Sequence, residues 1–249
     1  KSSFTSLTKK RSLSVLQEPI KRTKRATKYK GAEVESTSKL ITLVPMNDRQ
    51  GAYIEALKSS QQVIVLGPSG TGKTYIAATA AANAYALKRI EKIIITRPNV
   101  SVGKDLGYLP GTLEEKYAPW VLPVFEVLEH QLGKGVVETG VKNKNIEMAP
   151  LSTMRGRSFS NAFVIVDEAQ NLTIHEVKML LTRIGDNCKI IINGDLRQSD
   201  IKEQSGLSKI MHLAKKYNMG IPVVEFTVDD IVRSDICKAW VIAFLEEGL

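Results

Sequence analysis

Short apolar runs and amphipathic stretches take turns from residue 47 onward, and that alternation predicts the architecture. Asn47 or Asp48 is placed to cap a helix running to about Lys58. The β-branched run 63–66 reads as a buried strand. A Gly-rich turn follows, then a long Ala-rich helix over about 73–88. Further apolar runs at 93–96, 163–166, 189–193 and 223–226 predict four more strands. Helical patterns lie between them at about 173–184 and 206–217, and a last helix is expected over 230–246. Continuous apolar strands alternating with helices imply a parallel sheet covered on both faces, an α/β fold. Residues 103–145 fit less well. They hold Pro110, Pro119 and Pro123, and then a Gly- and Lys-containing turn region over 133–145. We expect a rim insertion, with a helix at 122–132 begun by Pro123 in its first turn.

Before residue 47 no helical or strand period persists. Residues 1–40 carry eleven Lys and Arg against three acids, a surplus of eight of the chain's net charge of +9. The other 209 residues hold 24 basic and 23 acidic groups and are nearly neutral. The division expected is therefore a basic arm over 1–46 and one domain over 47–249. The arm is either a phosphate-backbone contact that acts by counterion release, or a solubilising tail or docking strap for a neighbouring subunit. No apolar segment follows its charges, so it does not read as a secretory signal.

Composition narrows the classes. With 43% hydrophobic and 24% charged residues the 249-residue chain is globular in type. No apolar run approaches the roughly 18 residues that a membrane-spanning helix needs. Two cysteines, Cys188 and Cys237, argue against a disulfide scaffold and for the cytoplasm. The three histidines lack zinc-site spacing.

The chemistry-bearing residues cluster at strand ends. GPSGTGKT, comprising Gly67, Pro68, Ser69, Gly70, Thr71, Gly72, Lys73 and Thr74, matches a phosphate-binding loop in its required setting after a strand and before a helix. Its backbone N–H groups and the helix N-terminus suit phosphate oxygens. Lys73 supplies a charge for the β- and γ-phosphates of ATP, and the Thr74 hydroxyl suits Mg²⁺. VIVDEAQN then ends an apolar strand in two carboxylates, Asp167 for Mg²⁺ and Glu168 as the base for an attacking water. A base beside a metal ligand points to hydrolysis and away from a small-molecule kinase. GDLRQSD ends a third strand, where Gln198 can bond the γ-phosphate or the water and Asp195 can orient it. Gln50 offers a donor and an acceptor to an adenine edge, and Tyr53, on the same helix face, is a candidate to stack on the base. Arg233 is a candidate arginine finger or a salt-bridged surface group. Arg97, Arg155 and Arg157 are candidate nucleic-acid contacts on a basic rim with Lys104, Lys142 and Lys144, or simply solvated charge.

Taken together, these segments resemble the PhoH-like family of P-loop ATPases. The resemblance also rests on TRPNVSVGKDLGYLPGTLEEKYAPW, APLSTMRGR and DDIVRSDI. It implies a RecA-like core similar to the first ATPase domain of superfamily 1 helicases, with ATP and Mg²⁺ as ligands. It further implies Gln198 as the γ-phosphate sensor, Arg233 as the finger, and a homo-oligomer, a hexameric ring. With one such domain in the chain, Arg233 is expected to reach a neighbouring subunit's site. Single-stranded RNA or DNA is the expected partner, bound or unwound; the alternative is a nucleotide-gated binding ring without unwinding. The family is named for an association with phosphate starvation. Two departures stand out: Ser234 replaces a frequent histidine, and Arg197 is an extra charge. Some relatives carry a PIN nuclease domain. The 46 residues before the core have only Glu18, Glu33 and Glu35 as acids, so ribonuclease activity is not carried over.

Overall fold

The computed structural model describes residues 42–98, 113–198 and 205–247, with backbone alone for 113–120 and Ser152. The basic arm up to residue 41, Lys104 and the Leu109-Pro110-Gly111 stretch lie outside the described residues.

Among the described residues six strands form one sheet in the order β3-β2-β4-β5-β1-β6. They are β1 (Gln62–Leu66), β2 (Lys92–Thr96), β3 (Ile146–Met148), β4 (Ala162–Val166), β5 (Cys188–Gly194) and β6 (Val223–Glu225). Every pairing is parallel. The central strands are β-branched and buried on both faces, as a helix-covered parallel sheet requires. One face packs Val63, Val65, Ile93, Ile95, Phe163, Ile165 and Ile191 under α1 (Asp48–Ser59), α2 (Lys73–Ala86) and α3 (Leu113–Leu132). The other packs Ile64, Ile94, Val164 and Ile190 under α5 (Ile174–Leu181) and α6 (Gly206–Lys216). The α/β, RecA-like expectation holds. Because all strands run the same way, their carboxyl ends collect at one edge, which fixes where the site lies.

Three expected boundaries need correction. The turn region at 133–145 is largely helix, α4 (Lys134–Lys142), and its glycine has a packing role: a Cβ on Gly140 would meet Ile146 Cδ1 at 2.8 Å. β3 then follows with only three residues, too short for a periodic signal. The helix expected to start at Pro123 begins at Leu113, so two prolines sit inside it. Each proline deletes one backbone hydrogen bond. Burial of Val121, Val124 and Leu128 on one face of α3 offsets that loss. The last helix, α7 (Asp235–Glu246), starts five residues late. Val228–Asp230 is instead a 3-10 turn closed by a Thr227–Asp230 capping box, and Ser234 caps α7. Arg233 thus lies in the connecting loop.

Candidate functional site

The loop between β1 and α2 is built to bare its backbone. Gly67, Gly70 and Gly72 have φ of 132°, 86° and 88°, a region closed to most side chains. At Gly67 space forbids a side chain as well, since a Cβ would lie 2.5 Å from the Phe226 carbonyl. The Gly67 N–H donates to the Gly194 carbonyl at 3.1 Å and ties the loop to β5. From inside, Thr71 Oγ1 donates to the Pro68 carbonyl at 3.1 Å. These features form a cradle at a helix N-terminus, the setting that suits phosphate.

Lys73 Nζ donates to the Gly67 and Pro68 carbonyls at 2.6 and 2.7 Å, curled over the loop that it follows. Burial pulls its pKa down, while Asp167, Asp195 and Glu168 push it back up. Thr74 Oγ1 donates to Asp167 Oδ1 at 3.1 Å. Asp167, at the end of β4, has its pKa raised, first by burial and then by Glu168, against the opposing pull of Arg97, the Thr74 bond and Lys73. A hydroxyl meeting a carboxylate is a hard-oxygen pair that fits Mg²⁺. Among the described residues no three His, Cys, Asp or Glu side chains are grouped so that they could hold a metal ion. A Mg²⁺ here would therefore draw its remaining ligands from phosphate and water, as this ion commonly does.

Glu168 stands in the left-handed region, with φ 51° and ψ 40°. A non-glycine residue there is held by its surroundings. Gln170 Nε2 donates to Glu168 Oε2 at 2.6 Å, and an Arg97 guanidinium nitrogen lies 3.6 Å from Oε1. Gln170 is 1% exposed, and its Oε1 accepts the Asp195 N–H at 3.0 Å. It therefore braces the ends of β4 and β5 together. This residue escaped the sequence reading; its position two places after Glu168, on the turn leaving a site strand, is the signal that could have marked it. Asp195 is buried, and its Oδ2 has no hydrogen-bond partner among the described residues.

These groups line one cavity of about 370 Å³ at the carboxyl edge, with Lys73, Thr74, Asp167 and Glu168 on its floor and Gln198, Arg97 and Arg233 around it. A larger cavity of about 510 Å³ lies at the opposite edge, beside Leu57, Arg89 and Lys189, and has no carboxylate on its wall. Chemistry, not size, selects the first.

Five expected positions are placed as follows. Gln50 is not on the cavity wall. Its Nε2 donates to the Thr71 carbonyl at 3.1 Å and its Oε1 accepts from the Met46 N–H at 2.9 Å. Tyr53 is fully buried, edge-on to Phe226, and has no face for a base to stack on. Arg157 pairs with Glu147 at 2.6 Å and lies over the Phe159 ring, away from the cavity; Arg155 is exposed and also off its wall. Arg233 was expected to serve a neighbouring subunit, yet it lies against its own loop. The Val232 N–H donates to the Gly70 carbonyl at 3.1 Å, and Arg233 Cδ is 3.0 Å from where a Gly70 Cβ would be.

Among the described residues no helix is long and apolar enough to cross a membrane. Protein PhoH of Escherichia coli K12 is 40% identical over 200 residues, which cover 79% of this chain and 56% of that protein. A PhoH-like protein of Bacillus subtilis 168 is 42% identical over 197 residues, covering 78% and 61%. The chain thus spans somewhat over half the length of the curated relatives it matches. Solved structures resemble it more distantly. A Pif1 helicase from Candida albicans aligns at 12% identity and TM-score 0.38, over 74% of this chain and 40% of that one. The Sulfolobus solfataricus SWI2/SNF2 ATPase core in complex with dsDNA aligns at 12% and 0.41, over 72% and 44%. The family model described as PhoH-like protein matches residues 42–245. The chain belongs to the PhoH-like protein family.

Proposed function

We propose that this domain binds ATP with Mg²⁺ at Gly67, Pro68, Ser69, Gly70, Thr71, Gly72, Lys73 and Thr74 and hydrolyses it. The observation that carries the reading is the convergence of three strand ends on one cavity: the phosphate loop after β1, Asp167 and Glu168 after β4, and Asp195 and Gln198 after β5. Loop N–H groups and Lys73 bind the phosphates. Thr74 and Asp167 would hold a Mg²⁺, and that ion would neutralise charge on the phosphate oxygens. Glu168 takes a proton from a water as its oxygen attacks the γ-phosphorus, and the bond from that phosphorus to the bridging oxygen breaks. Gln198 orients the water or senses the γ-phosphate. Asp195 Oδ2, an acceptor still to be satisfied, is a second group able to hold that water. Arg233 stabilises the transferring phosphoryl group from within the same chain.

Hydrolysis is coupled to single-stranded RNA or DNA, with Arg97, Arg155, Arg157 and the arm as contacts. Copies of the chain associate, in the expected hexameric ring, through α7, which buries none of its own residues and exposes Ile236, Trp240 and Phe244 one turn apart. The test is ATP turnover with and without Mg²⁺ and each single strand. Mg²⁺-dependent turnover that one polymer stimulates supports the whole reading. Turnover that ignores both polymers removes the coupling and leaves the hydrolase.

A further inference from the structure

Glu168 has a different neighbour at each of its oxygens. Oε2 accepts from Gln170 at 2.6 Å, and Oε1 faces Arg97 at 3.6 Å. A general base needs an oxygen within roughly 2.6–3.2 Å of the water that it deprotonates. With Oε2 committed to Gln170, Oε1 is the oxygen left to take the proton, and it is the one that Arg97 faces. The two partners are unequal. The Gln170 side chain is buried, with its other end fixed to the Asp195 N–H. Arg97 has a side chain 25% exposed and a separation too long for a good hydrogen bond. Gln170 is therefore the fixed support and Arg97 the releasable one.

Backbone register sets Arg97 in this place. Thr96 pairs with Val166, and the Asp167 N–H donates to the Thr96 carbonyl at 2.9 Å. The residue after Thr96 must then stand beside the Asp167-Glu168 pair. Its charge is felt there, since Arg97 opposes the upward shift of the Asp167 pKa. A guanidinium fork also matches the paired oxygens of a phosphodiester, and planar phosphate recognition is what distinguishes Arg from Lys.

We propose that Arg97 is a positioning residue that clamps Glu168, and that the phosphodiester backbone of a bound single strand releases the base by drawing the guanidinium away. The inference rests on the proposed hydrolase and gives it a trigger: polymer binding frees the base.

The experiment compares wild type with Arg97→Gln and Arg97→Lys, measuring ATP turnover with and without a single-stranded RNA or DNA oligonucleotide. Nucleotide affinity and thermal midpoint are followed in parallel to confirm folding. Arg97→Gln raises polymer-free turnover by about fivefold, the ceiling for a partly exposed ion pair of about 1 kcal/mol. The same variant is no longer stimulated by polymer, whereas Arg97→Lys, which keeps the charge but loses the fork, is stimulated less than wild type. Loss of turnover in Arg97→Gln under both conditions overturns the clamp, because it marks a direct contact to the transferred phosphate. An unchanged stimulation factor overturns the trigger. If no polymer stimulates wild type, the nucleic-acid coupling itself fails. A polymer-free rise in Arg97→Gln still reports the clamp in that case, so the two failures are distinguishable.

Discussion

Gln50→Ala separates a structural amide from one that reads a base. The side chain is 4% exposed, and both ends of its amide are engaged, one by the Thr71 carbonyl inside the phosphate loop and one by the Met46 N–H. Truncation leaves the Thr71 carbonyl short of a donor at a residue that is 0% exposed. An orphaned buried group costs about 1–3 kcal/mol, and the lost Met46 bond adds about 1 kcal/mol. The sum is about 2–4 kcal/mol. For a domain of this size that lowers the melting midpoint by roughly 10 °C. Thermal unfolding in the absence of nucleotide reads the stability, and binding of ATP against GTP reads the base preference. The structure predicts a large drop in midpoint with the ratio of the two affinities unchanged. An unaltered midpoint with lost ATP selectivity would refute this reasoning and return Gln50 to the adenine edge.

Three further outcomes are expected. Asp167→Asn stabilises the metal-free, nucleotide-free protein at neutral pH. Burial raises the pKa of Asp167 above the ordinary 3.8, so folding favours its protonated form; the wild type loses stability as pH rises through that raised value, and the advantage of the variant in urea unfolding shrinks as pH falls below it. Arg233→Ala binds ATP but turns it over at least tenfold more slowly. Mixing it with Glu168→Gln restores nothing, because each site draws both groups from one chain; recovery of activity on mixing would show that the arginine is shared between subunits. Trp240→Ala with Phe244→Ser shifts sedimentation toward monomer, since these rings stack at 5.6 Å on a face that the chain leaves exposed; an unchanged sedimentation profile removes α7 from the interface.

The legible parts of the sequence were those in which one signal dominates. β1, β2, β4 and β5 each hold a short apolar run rich in Val and Ile, as a sheet buried on both faces requires. Their ends carry the polar groups, so the loop, Asp167, Glu168 and Gln198 could be placed at one sheet edge, where they line one cavity, before any contact was visible. The less legible parts depend on contacts between distant segments. Gly140 looked like a turn residue but permits the close approach of Ile146. Pro123 looked like a helix start and Pro119 like part of an irregular rim insertion, but both lie inside α3. Tyr53 and Gln50 share a helix face, and that face turns inward rather than toward the site. Arg233 fell within the expected last helix, whereas a bond from Val232 to Gly70 holds it over the loop. Gln170 carries no motif weight of its own, and its role emerges only where the ends of β4 and β5 meet.

The measurement that tests the central claim most directly is release of γ-phosphate from ATP by wild type and Glu168→Gln under single-turnover conditions, with nucleotide binding followed on the same samples. The account predicts matched binding and a phosphate-release rate lower by two or more orders of magnitude in the variant, in line with the roughly 10²–10⁴-fold contribution of a general base. Equal release rates from the two proteins would contradict it, because the carboxylate held by Gln170 and Arg97 would then not be the base.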